Sequence, residues 1–147
     1  MLRGRESSRG QELVEYAIVF PVLMLLVLGI IEFGRIIYSY NAISNAAREG
    51  ARFAVVPANQ ANIPGGPEWC ASWTNPIIDR VCERAMALDP AELQVTVSQP
   101  DLDADGLPDP VVQIQTVYEG PFLTNLVLQA VNQGGLRLQA AATMRLE

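Results

Sequence analysis

The chain has 147 residues and a formal net charge of −6, with ten arginines and no lysine or histidine. Its length allows one modest domain beside a long apolar helix, and its acidic balance argues against non-specific nucleic-acid binding. Histidine chemistry is excluded, and two cysteines without histidine make a zinc site improbable.

The first ten residues, MLRGRESSRG, place Arg3, Arg5 and Arg9 against one acid, Glu6. Basic residues ahead of an apolar span favour a cytoplasmic N-terminus, with the rest of the chain facing outward. The span follows at once. Residues 16–31 are all apolar, glycine or proline and show no polar face. Beyond them the pattern becomes amphipathic. Phe33, Ile36, Ile37, Tyr40, Ile43, Ala47, Ala51 and Ala54 recur at three-and-four spacing, with Arg35, Ser39, Asn45, Arg48, Glu49 and Arg52 on the other sides. We therefore expect one helix over residues 11–56, about 69 Å long at 1.5 Å per residue. A bilayer core is about 30 Å thick, so roughly half of such a helix extends beyond it.

A cleaved secretory signal is one alternative, but the apolar run continues into a second helical half instead of a small-residue cleavage site. An uncut signal anchor is another. Two acids complicate a plain anchor. Glu32, at the end of the run, has Arg35 three residues on, on its own face. Glu15, at the start, has no cation at i+3 or i+4. Either it is solvated at headgroup level or it awaits a cation from another chain. Pro21 lacks an amide hydrogen and is expected to kink or loosen the helix. Gly29 and Gly34 permit close helix packing or local unwinding.

A basic leader ending in Gly10, then QELVEY with Glu15 fifth after that glycine, resembles a type IV prepilin cleavage region. The longer pattern, RGQELVEYAIVFPVLMLLVLGIIEFGRIIYSYNAISNAAREGARFAVV, resembles the TadE-like family of tight-adherence (Tad) pilus proteins, and the ending LRLQAAATMRLE resembles that family's last strand. The resemblance implies cutting by a prepilin peptidase between Gly10 and Gln11, and an assembly segment at Glu15, Tyr16 and Pro21. It also implies that Glu15 pairs with the new amino terminus of a neighbouring subunit. Loss of the leader would move the net charge from −6 to −8, because three arginines and one glutamate leave.

Past the helix, Pro57 and the segment NQANIPGGPEW read as a break and a surface loop. In NPIIDRVCERAMALDP, Asn75 is a good N-cap and Pro76 suits the first helical position. Ile77, Ile78, Val81, Cys82, Ala85, Met86 and Leu88 form the expected apolar face, and Asp89-Pro90 the stop. Cys70 and Cys82 are expected to pair in an oxidising compartment, tying loop to helix; two reduced thiols are the alternative.

Residues 92–99 (ELQVTVSQ), 111–118 (VVQIQTVY) and 136–146 (LRLQAAATMRL) alternate as half-buried strands. Residues 121–133 read as a helical turn or short helix closed by Gly134-Gly135. A three-stranded antiparallel sheet follows, covered by the amphipathic half of the long helix. Between the first two strands lies DLDADGLPD. Asp101, Asp103, Asp105 and Asp109, with Gly106, match the first part of a calcium loop, but the twelfth position is Val112 where an EF-hand has glutamate. A solvated acidic turn is the alternative. Four carboxylates in nine residues repel one another unless a cation joins them.

The expected fold is α+β: a long N-terminal helix packed on a small antiparallel sheet with one or two short helices. Residues 1–10 are the leader, 11–56 the membrane anchor and filament core, and 57–147 an exported domain. The expected function is structural: a pilin-like subunit, not an enzyme, held in the inner membrane as a precursor and assembled into an extracellular pilus for adhesion. Copies of itself or related pilins, prepilin peptidase and the inner-membrane assembly machinery are its expected partners, and calcium a candidate ligand. An uncut, monomeric, signal-anchored calcium-binding or scaffold protein is the alternative.

Overall fold

The computed structural model describes residues 6–60, 63–64, 66–72, 74–101, 110–130 and 135–146. The chain divides into two compact units, Met1–Arg35 and Ile36–Glu147. Helix α1, Glu6–Ala54, runs through both. Its C-terminal end lies close to the expected one, whereas its first described turn precedes Gly10.

In the first unit the described side chains of α1 are exposed from Gly10 onward, with one exception. Glu32 is only 5% exposed. Arg35 Nη1 lies 3.7 Å from its Oε2, the i,i+3 pair expected from sequence. Helical structure continues through Pro21.

The second unit is α+β. After α1 come a single turn α2 (Pro57–Gln60), strand β1 (Pro67–Trp69) and helix α3 (Pro76–Arg84). A 3-10 turn at Pro90–Glu92 leads into β2 (Leu93–Ser98), then β3 (Val111–Tyr118), α4 (Leu123–Ala130) and β4 (Leu138–Arg145). The four strands form an antiparallel sheet in the order β1-β2-β3-β4. Three strands were expected, and β1 is the addition. It lies in the proline- and glycine-rich stretch read as loop, where proline is tolerated because an edge strand leaves one side unpaired. Pairing of Pro67 with Thr96 and Trp69 with Gln94 holds it to β2.

Period-two alternation puts Leu93, Val95 and Val97 of β2, and Val112, Ile114 and Thr116 of β3, on the buried face. Leu138, Ala140 and Ala142 of β4 extend it, with Ile114 opposite Ala142 and Thr116 opposite Ala140. Ile77, Ile78 and Val81 of α3 complete the core. The Asn75 side chain caps α3 by accepting from Ile77 N at 2.9 Å. Because α3 ends at Arg84, Met86 leaves the helical register and is 83% exposed, against the sequence expectation.

The face that α1 turns to this core is made of small residues. Ile43, Ala47, Ala51 and Ala54 are buried as expected, joined by Ser39, Ala46 and Gly50. Ile36 is half-buried, but Phe33, Ile37 and Tyr40 are exposed. Hydrophobicity alone misplaced them. Close approach of a helix backbone to a core is limited by side-chain size, so the small residues turn inward and the bulky ones stay out. The buried Thr116 Oγ1 lies 3.2 Å from Ala140 O and 3.4 Å from Ile43 O, and donates its one hydrogen between sheet and helix.

Candidate assembly helix and charged cleft

Each residue singled out at the N-terminus lies on α1 in the first unit. Gly10, Gln11, Glu15 and Pro21 are exposed, and Tyr16 is 66% exposed. One turn separates Tyr16 from Phe20, whose rings stack at 5.7 Å between centroids. Among the described residues Glu15 has no ion-pair partner within 4 Å. Pro21 withholds the hydrogen that would otherwise reach the carbonyl of Ala17. Cβ atoms built on Gly29 and Gly34 meet nothing within 4 Å among the described residues, so packing against those residues requires neither glycine.

In the second unit Cys70 and Cys82 form a disulfide, with their Cα atoms 5.7 Å apart. The bond fastens the end of β1 to α3. Cys70 N also donates to Leu93 O at 3.0 Å, continuing the edge pairing. Of the acidic run, Asp101 is exposed, while Asp103, Asp105 and Asp109 lie outside the described residues. The expected calcium loop therefore lies largely outside the described residues, among which no group of three or more acids, histidines or cysteines could hold a metal.

Sequence reading missed a cluster of arginines. Arg48 and Arg52 on α1 and Arg80 and Arg84 on α3 surround Glu49. Each pair is spaced i,i+4 and so occupies one helix face. That spacing was the available signal, but nothing in the sequence says that the two faces meet.

Residues 10–52 match the family model described as TadE-like protein. Over this helix the chain is similar to TadE-like proteins. The match lies wholly within α1, so it carries the resemblance of the N-terminal pattern and says nothing of the sheet. Neither the curated proteins nor the solved structures yield a match. Helix α1 includes an 18-residue window of mean hydropathy 2.5, none of it buried within the chain. A helix of that length and composition can cross a membrane.

Proposed function

We propose that this chain is a pilin-like structural subunit, inserted in the inner membrane with its N-terminus cytoplasmic and then packed helix-to-helix in an extracellular Tad-type filament. The leader is removed between Gly10 and Gln11, and the filament serves surface attachment. One observation carries the reading. An apolar helix surface lies exposed, and at its start Glu15 has no cation among the described residues. Lipid covers such a surface but offers a buried carboxylate nothing, whereas a neighbour's new amino terminus supplies a cation in low dielectric. Such a pair fixes axial register more than it adds stability, and removing one partner costs about 3–5 kcal/mol when the pair is buried.

The decisive experiment is mass spectrometry of the chain recovered from isolated surface filaments. A mature chain beginning at Gln11 is expected. A chain that begins at Met1 and is confined to membranes would replace this reading with the uncut, monomeric anchor.

A further inference from the structure

An open cleft of about 390 Å³ lies on the second unit, lined by Asn45, Arg48, Glu49, Arg52, Arg84 and Met144. Three of those six residues are cations and one is an anion, in a chain whose net charge is −6. The one acid is already shared. Arg84 Nη2 and Arg80 Nη2 approach the same Glu49 oxygen, Oε1, at 3.5 and 3.8 Å. Arg48 is held by neutral acceptors: its Nε donates to Ser44 O at 3.1 Å, and its Nη2 to Ser44 Oγ at 3.1 Å and Asn45 Oδ1 at 3.2 Å. These bonds fix the guanidinium without neutralising it. Arg52 makes no hydrogen bond or ion pair among the described residues. The cleft therefore carries positive charge that no described residue satisfies. Arginine, with its planar fork of donors, suits carboxylates in particular.

We infer that this cleft is a docking surface for carboxylates of a second copy of the chain. The segment with matching charge is the acidic run of residues 101–109, which carries four aspartates in nine residues. Such a run needs cations to relieve its self-repulsion, and a neighbour's guanidinium groups supply them. One exposed ion pair contributes little, typically under about 1 kcal/mol, so the contact depends on several arginines acting together and weakens with salt. The inference rests on the reading that copies of this chain meet in an assembly. It adds a contact between their folded units, separate from the apolar helix.

The probe is a fluorescein-labelled peptide DLDADGLPD, titrated with the full-length chain in detergent micelles and followed by anisotropy. Wild type is expected to bind it at low ionic strength. The Arg48→Ala, Arg52→Ala double variant is expected to bind at least about tenfold more weakly. Those exposed substitutions should leave the unfolding transition in place, which separates lost binding from lost folding. A peptide with asparagine at all four aspartates is expected not to bind. Equal binding by the double variant, or by the asparagine peptide, overturns the proposal, as does displacement by inorganic phosphate at concentrations comparable to the peptide. Sedimentation then decides whether the occupant is another copy. The wild-type chain should self-associate reversibly with salt, Arg48→Glu with Arg52→Glu should abolish this, and adding Asp103→Arg with Asp105→Arg should restore it. A wild-type chain that stays monomeric at every concentration overturns the second-copy occupant. Neither assay needs Glu15, leader removal or a finished filament, so they can succeed where the filament reading fails, and the reverse.

Discussion

Gly50 is the tightest point between α1 and the core, and adding one methyl group there tests the packing. A Cβ at this position overlaps Val81 Cγ2 of α3 and comes to 2.9 Å from Ile114 Cδ1 of β3. In an open helix interior, glycine to alanine is worth about 1 kcal/mol in favour of alanine. Here overpacking opposes it, at about 1–3 kcal/mol. Val81 is fully buried and β-branched within a helix, which leaves it essentially one rotamer, so the upper part of that range applies. Gly50→Ala should therefore destabilise the second unit by about 1–2 kcal/mol, a fall in Tm of at least about 4 °C per kcal/mol. Val81→Ala removes the obstructing methyl group and alone costs about 2–3 kcal/mol through lost burial and a cavity. In the double variant the new methyl group enters the vacated space. The two effects should then couple by about 1–3 kcal/mol, leaving the double variant no less stable than Val81→Ala alone. Both tryptophans, Trp69 and Trp73, follow residue 36, so fluorescence-monitored urea unfolding of the full chain in micelles reports this unit selectively. Additivity within about 0.5 kcal/mol would refute the close contact.

Glu15→Ala should leave membrane insertion intact and abolish ordered filaments; normal filaments from that variant, counted by electron microscopy, would make Glu15 a merely interfacial acid. Cys82→Ser opens a loop whose ends are 12 residues apart and should lower the stability of the second unit by about 3 kcal/mol, read by urea unfolding against the oxidised wild type. Asn75→Ala removes the acceptor for Ile77 N and should cost about 1 kcal/mol, visible as a lower urea midpoint at unchanged slope. Calcium is the competing cation for Asp101, Asp103, Asp105 and Asp109: binding there would give a calorimetric heat that Asp103→Asn with Asp105→Asn removes, and no heat with millimolar calcium on the wild-type chain ends that alternative.

Much of the fold was legible because its signals are local. Alternation in VVQIQTVY gives β3 from Val111 to Tyr118, and the Asn75-Pro76 start gives the capped beginning of α3. What escaped depends on neighbours distant in sequence. The three residues of β1 have no periodicity of their own; they become a strand because Gln94–Thr96 offers an edge. Met86 looked inward only on the assumption that α3 lasts one more turn. The arginines were visible as residues but not as a cluster, because an i,i+4 pair on one helix carries no information about which other helix it faces. The N-terminal pattern was legible for the opposite reason. Glycine, acid, proline and apolar run lie within one short stretch, and their arrangement needs no tertiary partner.

Side-chain size explains how one helix can take two kinds of neighbour. From Ser39 to Ala54 its buried positions hold serine, alanine, glycine and a single isoleucine, which let the backbone lie close to β3 and α3. Over residues 16–31 it carries large side chains that remain exposed, Leu25 at 70% and Ile18 at 66% among them. Bulk of that kind gains free energy only by being covered, at about 25 cal/mol per Å² of apolar surface removed from water. No described residue of the first unit supplies the cover. The small-residue half is thus satisfied by its own chain's fold, while the bulky half requires lipid or other helices. Exchange of lipid for neighbouring helices leaves the apolar term nearly unchanged, since hydrocarbon tails are as apolar as leucine. The difference between anchor and filament must then come from packing and from polar groups, and Glu15 is the carboxylate at the start of the apolar run. For that reason a substitution at this one acid tests the assembly proposal more sharply than any change among the leucines.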